Sequence, residues 1–156
     1  MFSSLAKSFP FQLFRHKVYL PCFTILGRLE DLRRGVKTQS IIELDKVGLD
    51  PSVGVRYESI SYGKLKLVLN VAKNEGFDKF LDIGCGLGRA LLVAKEVGYR
   101  DLCGVEISSV FTSKCEENLL AKGVSAQISC SDIDEFDIPK GKFVVYLFNP
   151  FGEEKL

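Results

Sequence analysis

The stretch Phe80-Leu81-Asp82-Ile83-Gly84-Cys85-Gly86-Leu87-Gly88-Arg89-Ala90 constrains this chain more than any other. Apolar residues run into an acid, then into glycines at alternate positions, and a helical pattern follows to about Val97. A strand, a glycine-rich turn and a helix N-terminus fit that order. Glycines in such a turn imply a ligand lying directly on the backbone, where a Cβ would collide. Glu106 closes the next apolar run, Leu102-Cys103-Gly104-Val105, a little over twenty residues after Asp82. A carboxylate there is placed to bridge the two hydroxyls of a ribose.

The spacing narrows the ligand. A dinucleotide fingerprint reads G-x-G-x-x-G, whereas this turn reads G-x-G-x-G and has Arg89 where that fingerprint wants glycine. The segment therefore resembles motif I of the class I S-adenosylmethionine-dependent methyltransferases. The resemblance implies S-adenosyl-L-methionine as cofactor, with Gly84, Cys85, Gly86 and Gly88 cradling its methionine moiety. Asp82 would orient the loop or approach the cofactor's amino group, and Glu106 would hold the ribose. Ile107 would cover one face of the adenine. Asp132, at the end of Ser129-Cys130-Ser131, matches the family position that accepts a hydrogen bond from the adenine amino group, and Ile133 would pack on the base. Tyr57, Glu58 and Tyr62 precede a helix in a segment that folds over the cofactor in that family, so Tyr57 joins the expected cofactor-binding set.

Leu147-Phe148-Asn149-Pro150-Phe151-Gly152 resembles motif IV of the family members that act on nitrogen. There an Asn or Asp precedes two prolines and an aromatic residue; this chain has one proline, and Phe151 stands where the second would be. On that resemblance Asn149, Pro150 and Phe151 are the expected catalytic residues. They would orient an amine of an unknown acceptor, protein or small molecule rather than nucleic acid, toward the methyl group. No metal is implied, because no His/Cys/Asp/Glu cluster has ligand spacing. Two readings from other classes stay open: a non-catalytic cofactor-binding or interaction module on the same scaffold, and an NAD-dependent oxidoreductase.

Strand and helix patterns alternate after residue 57. Strands are expected at Lys79–Ile83, Leu102–Glu106, Ser125–Cys130 and Phe143–Phe148. Helices are expected at Lys64–Asn74, Arg89–Val97 and Ser109–Lys122, with Ser61 and Ser108 as N-caps. The fold class is α/β, a Rossmann-like methyltransferase fold with a parallel sheet of about four strands. Residues 1–50 read as an N-terminal helical and basic arm, and 51–156 as the cofactor-binding domain, truncated after its fourth strand. That strand would then present an open apolar edge through which the chain can self-associate.

Within the arm a helix is expected from about Cys22 to Arg34, with Leu26, Leu29 and Leu32 near one face. Residues 1–40 hold seven Lys or Arg against two acids, while the whole chain carries a formal net charge of +1. A near-neutral total argues against a dedicated nucleic-acid surface. His16, the single histidine, lies in the arm, far from the motifs. Five cysteines without C-x-x-C spacing indicate neither a zinc site nor a disulfide framework, and a reducing cytoplasm fits them best; Cys103 and Cys130 read as small core residues. Neither a signal peptide nor a transmembrane span is read in the N-terminal region, where Arg15, His16 and Lys17 interrupt the apolar residues.

Overall fold

The structure, a computed structural model, describes residues 20–50 and 56–148, the side chains of residues 20–22 excepted. The chain runs α1 (Leu20–Arg34), β1 (Ile41–Ile42), a 3-10 turn (Leu44–Val47), β2 (Tyr57–Glu58), α2 (Tyr62–Asn74) and β3 (Lys79–Ile83). It continues through α3 (Arg89–Val97), β4 (Asp101–Glu106), α4 (Ser109–Ala121), β5 (Gln127–Cys130), a second 3-10 turn (Ile133–Glu135) and β6 (Phe143–Leu147).

The four main strands form one parallel sheet in the order β5-β4-β3-β6. Helices α3 and α4 make the two crossovers that parallel pairing demands. From β5 the chain returns past β3 and β4 to add β6 on the opposite side of β3. The direction of growth thus reverses at β3, and a crevice opens at the carboxyl ends of β3 and its neighbours. Asp82 pairs in register with Gly104 on one side and with Tyr146 on the other.

The two faces of the sheet are filled differently. On one, Phe80 and Leu102 pack with Leu65 and Leu69 of α2, Leu91 of α3, and Cys115 and Leu119 of α4. Complete burial of a leucine such as Leu65 contributes roughly 1.5–3 kcal/mol. On the other, Leu81, Ile83, Cys103 and Val105 are covered by Ile133, Phe136 and Phe143. The helices end where glycine permits a left-handed turn, at Gly35 and Gly98. Ser61 and Ser108 cap α2 and α4 by accepting from the Lys64 and Phe111 N–H groups.

Three expectations change. Leu26, Leu29 and Leu32 of α1 face outward, Leu32 being 77% exposed, while Asp31 points inward at 5%. The helix is oriented by an ion pair rather than by its leucines. Cys130, expected in the core, is exposed at the end of β5. The run 143–148 is only half-buried, with Val145 and Leu147 each 47% exposed, because β6 is the edge strand among the described residues.

Candidate cofactor site

Between β3 and α3 the turn is built from left-handed glycines, with φ of 75° at Gly84, 52° at Gly86 and 81° at Gly88. Non-glycine residues pay about 1–2 kcal/mol in that region. The turn is fastened to the end of β4. Gly84 and Cys85 N–H both donate to the Val105 carbonyl, at 2.9 and 3.1 Å. The Glu106 carboxylate completes the attachment: Oε2 accepts from Gly86 N–H at 3.0 Å and Oε1 from Ser108 N–H at 2.9 Å. Burial pushes the Glu106 carboxyl pKa up, opposed by the N–H groups of Ser108, Gly86 and Ile107.

The protein's own packing accounts for two of these glycines. A Cβ on Gly86 would run into the Tyr57 ring, and one on Gly88 would lie 2.7 Å from Cys115 Sγ. Tyr57 is held over the turn by its hydroxyl, which donates to the Thr38 carbonyl at 2.8 Å, and by its ring, 5.4 Å from that of Phe111.

Beside the turn, the carboxyl ends of β3, β4 and β6 open into a cavity of about 90 Å³. Tyr57, Asp82, Gly84, Cys85, Glu106 and Ile107 line it, together with Glu58, Arg89, Phe111, Tyr146 and Phe148. Asp82 is buried, and its carboxyl is pushed up to about 8, first by desolvation and then by the Glu106 charge. The Tyr146 hydroxyl is buried and has no hydrogen-bond partner among the described residues. Burial also pushes the cysteine and tyrosine hydrogens of Cys85, Tyr57 and Tyr146 toward higher pKa, for Cys85 after its hydrogen bond with Cys115.

Other expected residues lie elsewhere. Asp132 caps the 3-10 turn by accepting from Asp134 N–H at 3.2 Å, and Ile133 packs under the sheet against the Leu81 cluster. Neither lines the cavity, although Ser131 N–H donates to the Glu106 carbonyl and keeps this segment at the same sheet end. Tyr62 is turned away, donating to Asp31 Oδ1 at 2.8 Å. Asn149, Pro150, Phe151 and His16 lie outside the described residues.

Arg89, noted in the sequence only for not being glycine, organises the region behind the turn. Its guanidinium donates to Thr38 Oγ1 at 2.7 Å, Gln39 Oε1 at 2.9 Å, the Ile60 carbonyl at 2.7 Å and Asp31 Oδ1 at 3.2 Å. It also stacks 4.4 Å above the Tyr62 ring. Tyr146 was likewise legible only as an apolar strand residue. The signal for it is the Asp82–Tyr146 register, which no local pattern contains.

Residues 80–152 match the family model of a methyltransferase domain. The matched segment is just under half of the chain. Its match begins at β3 and includes the glycine turn, Glu106 and the end of β6. No curated protein matches the chain significantly.

Solved structures similar to the chain include an S-adenosylmethionine-dependent methyltransferase from Clostridium acetobutylicum, 20% identical, with TM-score 0.49 over 57% of this chain and 37% of that one. The YcgJ protein from Bacillus subtilis is 19% identical, with TM-score 0.49 over 56% of this chain and 38% of its own. A tRNA (m1A58) methyltransferase from Aquifex aeolicus is 17% identical, with TM-score 0.44 over 60% and 45%. The chain thus spans less than half the length of each of these structures.

Among the described residues no helix is long and apolar enough to cross a membrane, and no group of three His, Cys, Asp or Glu side chains is arranged to hold a metal ion.

Proposed function

We propose that the chain binds S-adenosyl-L-methionine over the carboxyl ends of β3, β4 and β6 and transfers its methyl group to an acceptor. One observation carries this reading: buried Asp82, at the head of a glycine turn, faces the cavity with no cation set against it among the described residues. A cationic ligand would favour the carboxylate form of Asp82 and be held by it. The unpartnered Tyr146 hydroxyl and the nearby Glu106 carboxylate supply further polar groups suited to the cofactor.

The cofactor supplies an activated methyl group on a cationic sulfonium. The protein's task is then to position and orient the reactants. Asp82 neutralises the cationic end. Glu106 keeps its hold on Gly86 and Ser108 and has acceptor lone pairs left for ribose hydroxyls. Ile107 and, past β5, Asp132 receive the adenine. Tyr57 turns off Gly86 to make room, since the present cavity is well below the roughly 300–1,000 Å³ of a typical small-molecule site, and then covers the ligand.

Transfer to a nitrogen rests on Asn149-Pro150-Phe151 alone, which follow directly on Phe148 at the cavity wall. The Asn149 amide oxygen would accept from the target amine, and Phe151 would stack on the acceptor. The β6 edge, unpaired among the described residues, supports self-association, and the free thiols of Cys85 and Cys115 suit a reducing compartment such as the cytoplasm.

Thermal unfolding with S-adenosylhomocysteine and with NAD tests the reading, because a ligand that binds only the folded state raises Tm. A rise with S-adenosylhomocysteine and none with NAD is expected; the reverse pattern would replace the methyltransferase reading with an oxidoreductase one.

A second reading, a scaffold without methyl transfer, is favoured by the seating of the Tyr57 ring on Gly86, where a cofactor would approach. Cofactor binding without labelling of any amine, protein or nucleic-acid pool by methyl-labelled cofactor would select it.

A further inference from the structure

Tyr146 has no place in the sequence motifs. Its hydroxyl is nevertheless buried and makes no hydrogen bond among the described residues. A buried hydroxyl left without a partner is costly, and such groups are retained where something else satisfies them. Tyr146 is the register partner of Asp82 on the adjoining parallel strand, so both side chains project from the same face. Both line the cavity.

The charges around the pair are one-sided. Glu106 on β4, Tyr57 on β2, Cys85 in the glycine turn and Tyr146 on β6 face Asp82, and none carries a positive charge. Two cations line the cavity among the described residues: Arg89 commits its guanidinium to Asp31, Thr38, Gln39 and Ile60, and Arg56 is set 3.7 Å from both Glu43 and Glu58. One sheet face at the cavity wall therefore carries a carboxylate and an unpartnered hydroxyl, suited to a group that brings both positive charge and several N–H donors.

We propose that Tyr146 is a specificity residue of this site, its hydroxyl oxygen accepting a hydrogen bond from a primary ammonium group of the ligand whose charge Asp82 balances. An ammonium has three donors and can engage both oxygens at once. The hydroxyl's own proton remains available for the Asp82 carboxylate. The inference rests on the cofactor reading above, in which the ammonium is the one on the methionine moiety, and it extends that reading to a residue on the edge strand.

Calorimetric titration separates the two. The probes are S-adenosylhomocysteine and its deamino analogue, which lacks only the α-ammonium, each titrated into the wild-type chain and into Tyr146→Phe. The phenylalanine keeps the ring and its packing on Phe80, so the fold is retained; near-UV and far-UV circular dichroism check this. Loss of a hydrogen bond to a charged donor predicts a Kd for S-adenosylhomocysteine raised about tenfold, with the analogue bound equally by both proteins. Unchanged affinity for S-adenosylhomocysteine overturns the proposal. So does an equal loss for both ligands, which would mean that Tyr146 only supports the packing. A folded wild-type chain that binds neither probe contradicts the cofactor reading itself, and the Tyr146 proposal with it.

Discussion

Asp31 and Arg89, 58 positions apart, form a buried ion pair 3.2 Å across that joins the N-terminal helix to the first turn of α3. Asp31 accepts at the same time from the Thr38 and Gln39 N–H groups and from the Tyr62 hydroxyl. Both partners are almost fully buried, at 7% and 4% side-chain exposure. Removing one partner of such a pair strands the other charge and costs about 3–5 kcal/mol. Asp31→Ala should therefore lower the urea midpoint severely, and the double change Asp31→Leu with Arg89→Met should recover only the part due to the stranded guanidinium, because the Thr38 and Gln39 N–H groups still lack their acceptor. A single-variant cost under about 1 kcal/mol, the range of an exposed pair, would show that the pair does not hold the helix.

Glu106 is predicted to matter for stability before any ligand is present. Glu106→Gln retains one acceptor oxygen and turns an NH2 toward either Gly86 N–H or Ser108 N–H. A buried donor left facing a donor costs about 1–3 kcal/mol. Chemical denaturation of the ligand-free chain should detect that cost; a variant as stable as the wild type would mean that Glu106 serves the ligand alone.

Tyr57 and Gly86 should behave as a coupled pair. Gly86→Ala places a Cβ against the Tyr57 ring at a backbone φ of 52°. Overpacking costs about 1–3 kcal/mol, and the left-handed backbone adds about 1–2 kcal/mol. In a double-mutant cycle with Tyr57→Ala the steric part should vanish and the backbone part remain. Strict additivity of the two changes would place the ring elsewhere.

The stability of the free protein should depend on Asp82 in a defined direction. Its carboxyl is raised from an ordinary 3.8 to about 8 in the folded chain. Between those values the unfolded chain has lost the proton and the folded chain keeps it, so stability falls as pH rises across the window. Glu106, also raised, adds a contribution of the same sign. Asp82→Asn should flatten this fall, measured as urea midpoints at the two ends of the window. It should also stabilise the ligand-free chain at the upper end. An unchanged slope would mean that Asp82 is ionised in the folded protein.

Much of the architecture was readable because its signals are local. Lys79–Ile83 and Arg89–Val97 have the bounds their patterns indicate. Ser61 and Ser108 cap the helices that follow them, since a cap is recognised from the residues beside it. What escaped the sequence is long-range. The inward Asp31 and outward Leu32 of α1 follow from Arg89, which no helical period can reveal. Val68 is 58% exposed while Leu65 and Leu69 are buried, because α2 buries only a narrow seam. At the site, Asp82, Glu106 and Ile107 come together because each lies at or beside the carboxyl end of a strand, whereas Tyr146 enters through strand register and Ile133 leaves by turning under the sheet.

The central claim is that the cavity over β3, β4 and β6 is a site for S-adenosyl-L-methionine. Calorimetric titration of the purified chain with S-adenosylmethionine, beside a Gly86→Asp variant shown to be folded, tests it most directly. The prediction is one site of micromolar affinity in the wild-type chain, lost in the variant, whose carboxylate would crowd Tyr57 and add a third acid beside Asp82 and Glu106. A folded wild-type chain that takes up no cofactor, or a variant that binds it as well as the wild type does, would contradict the claim.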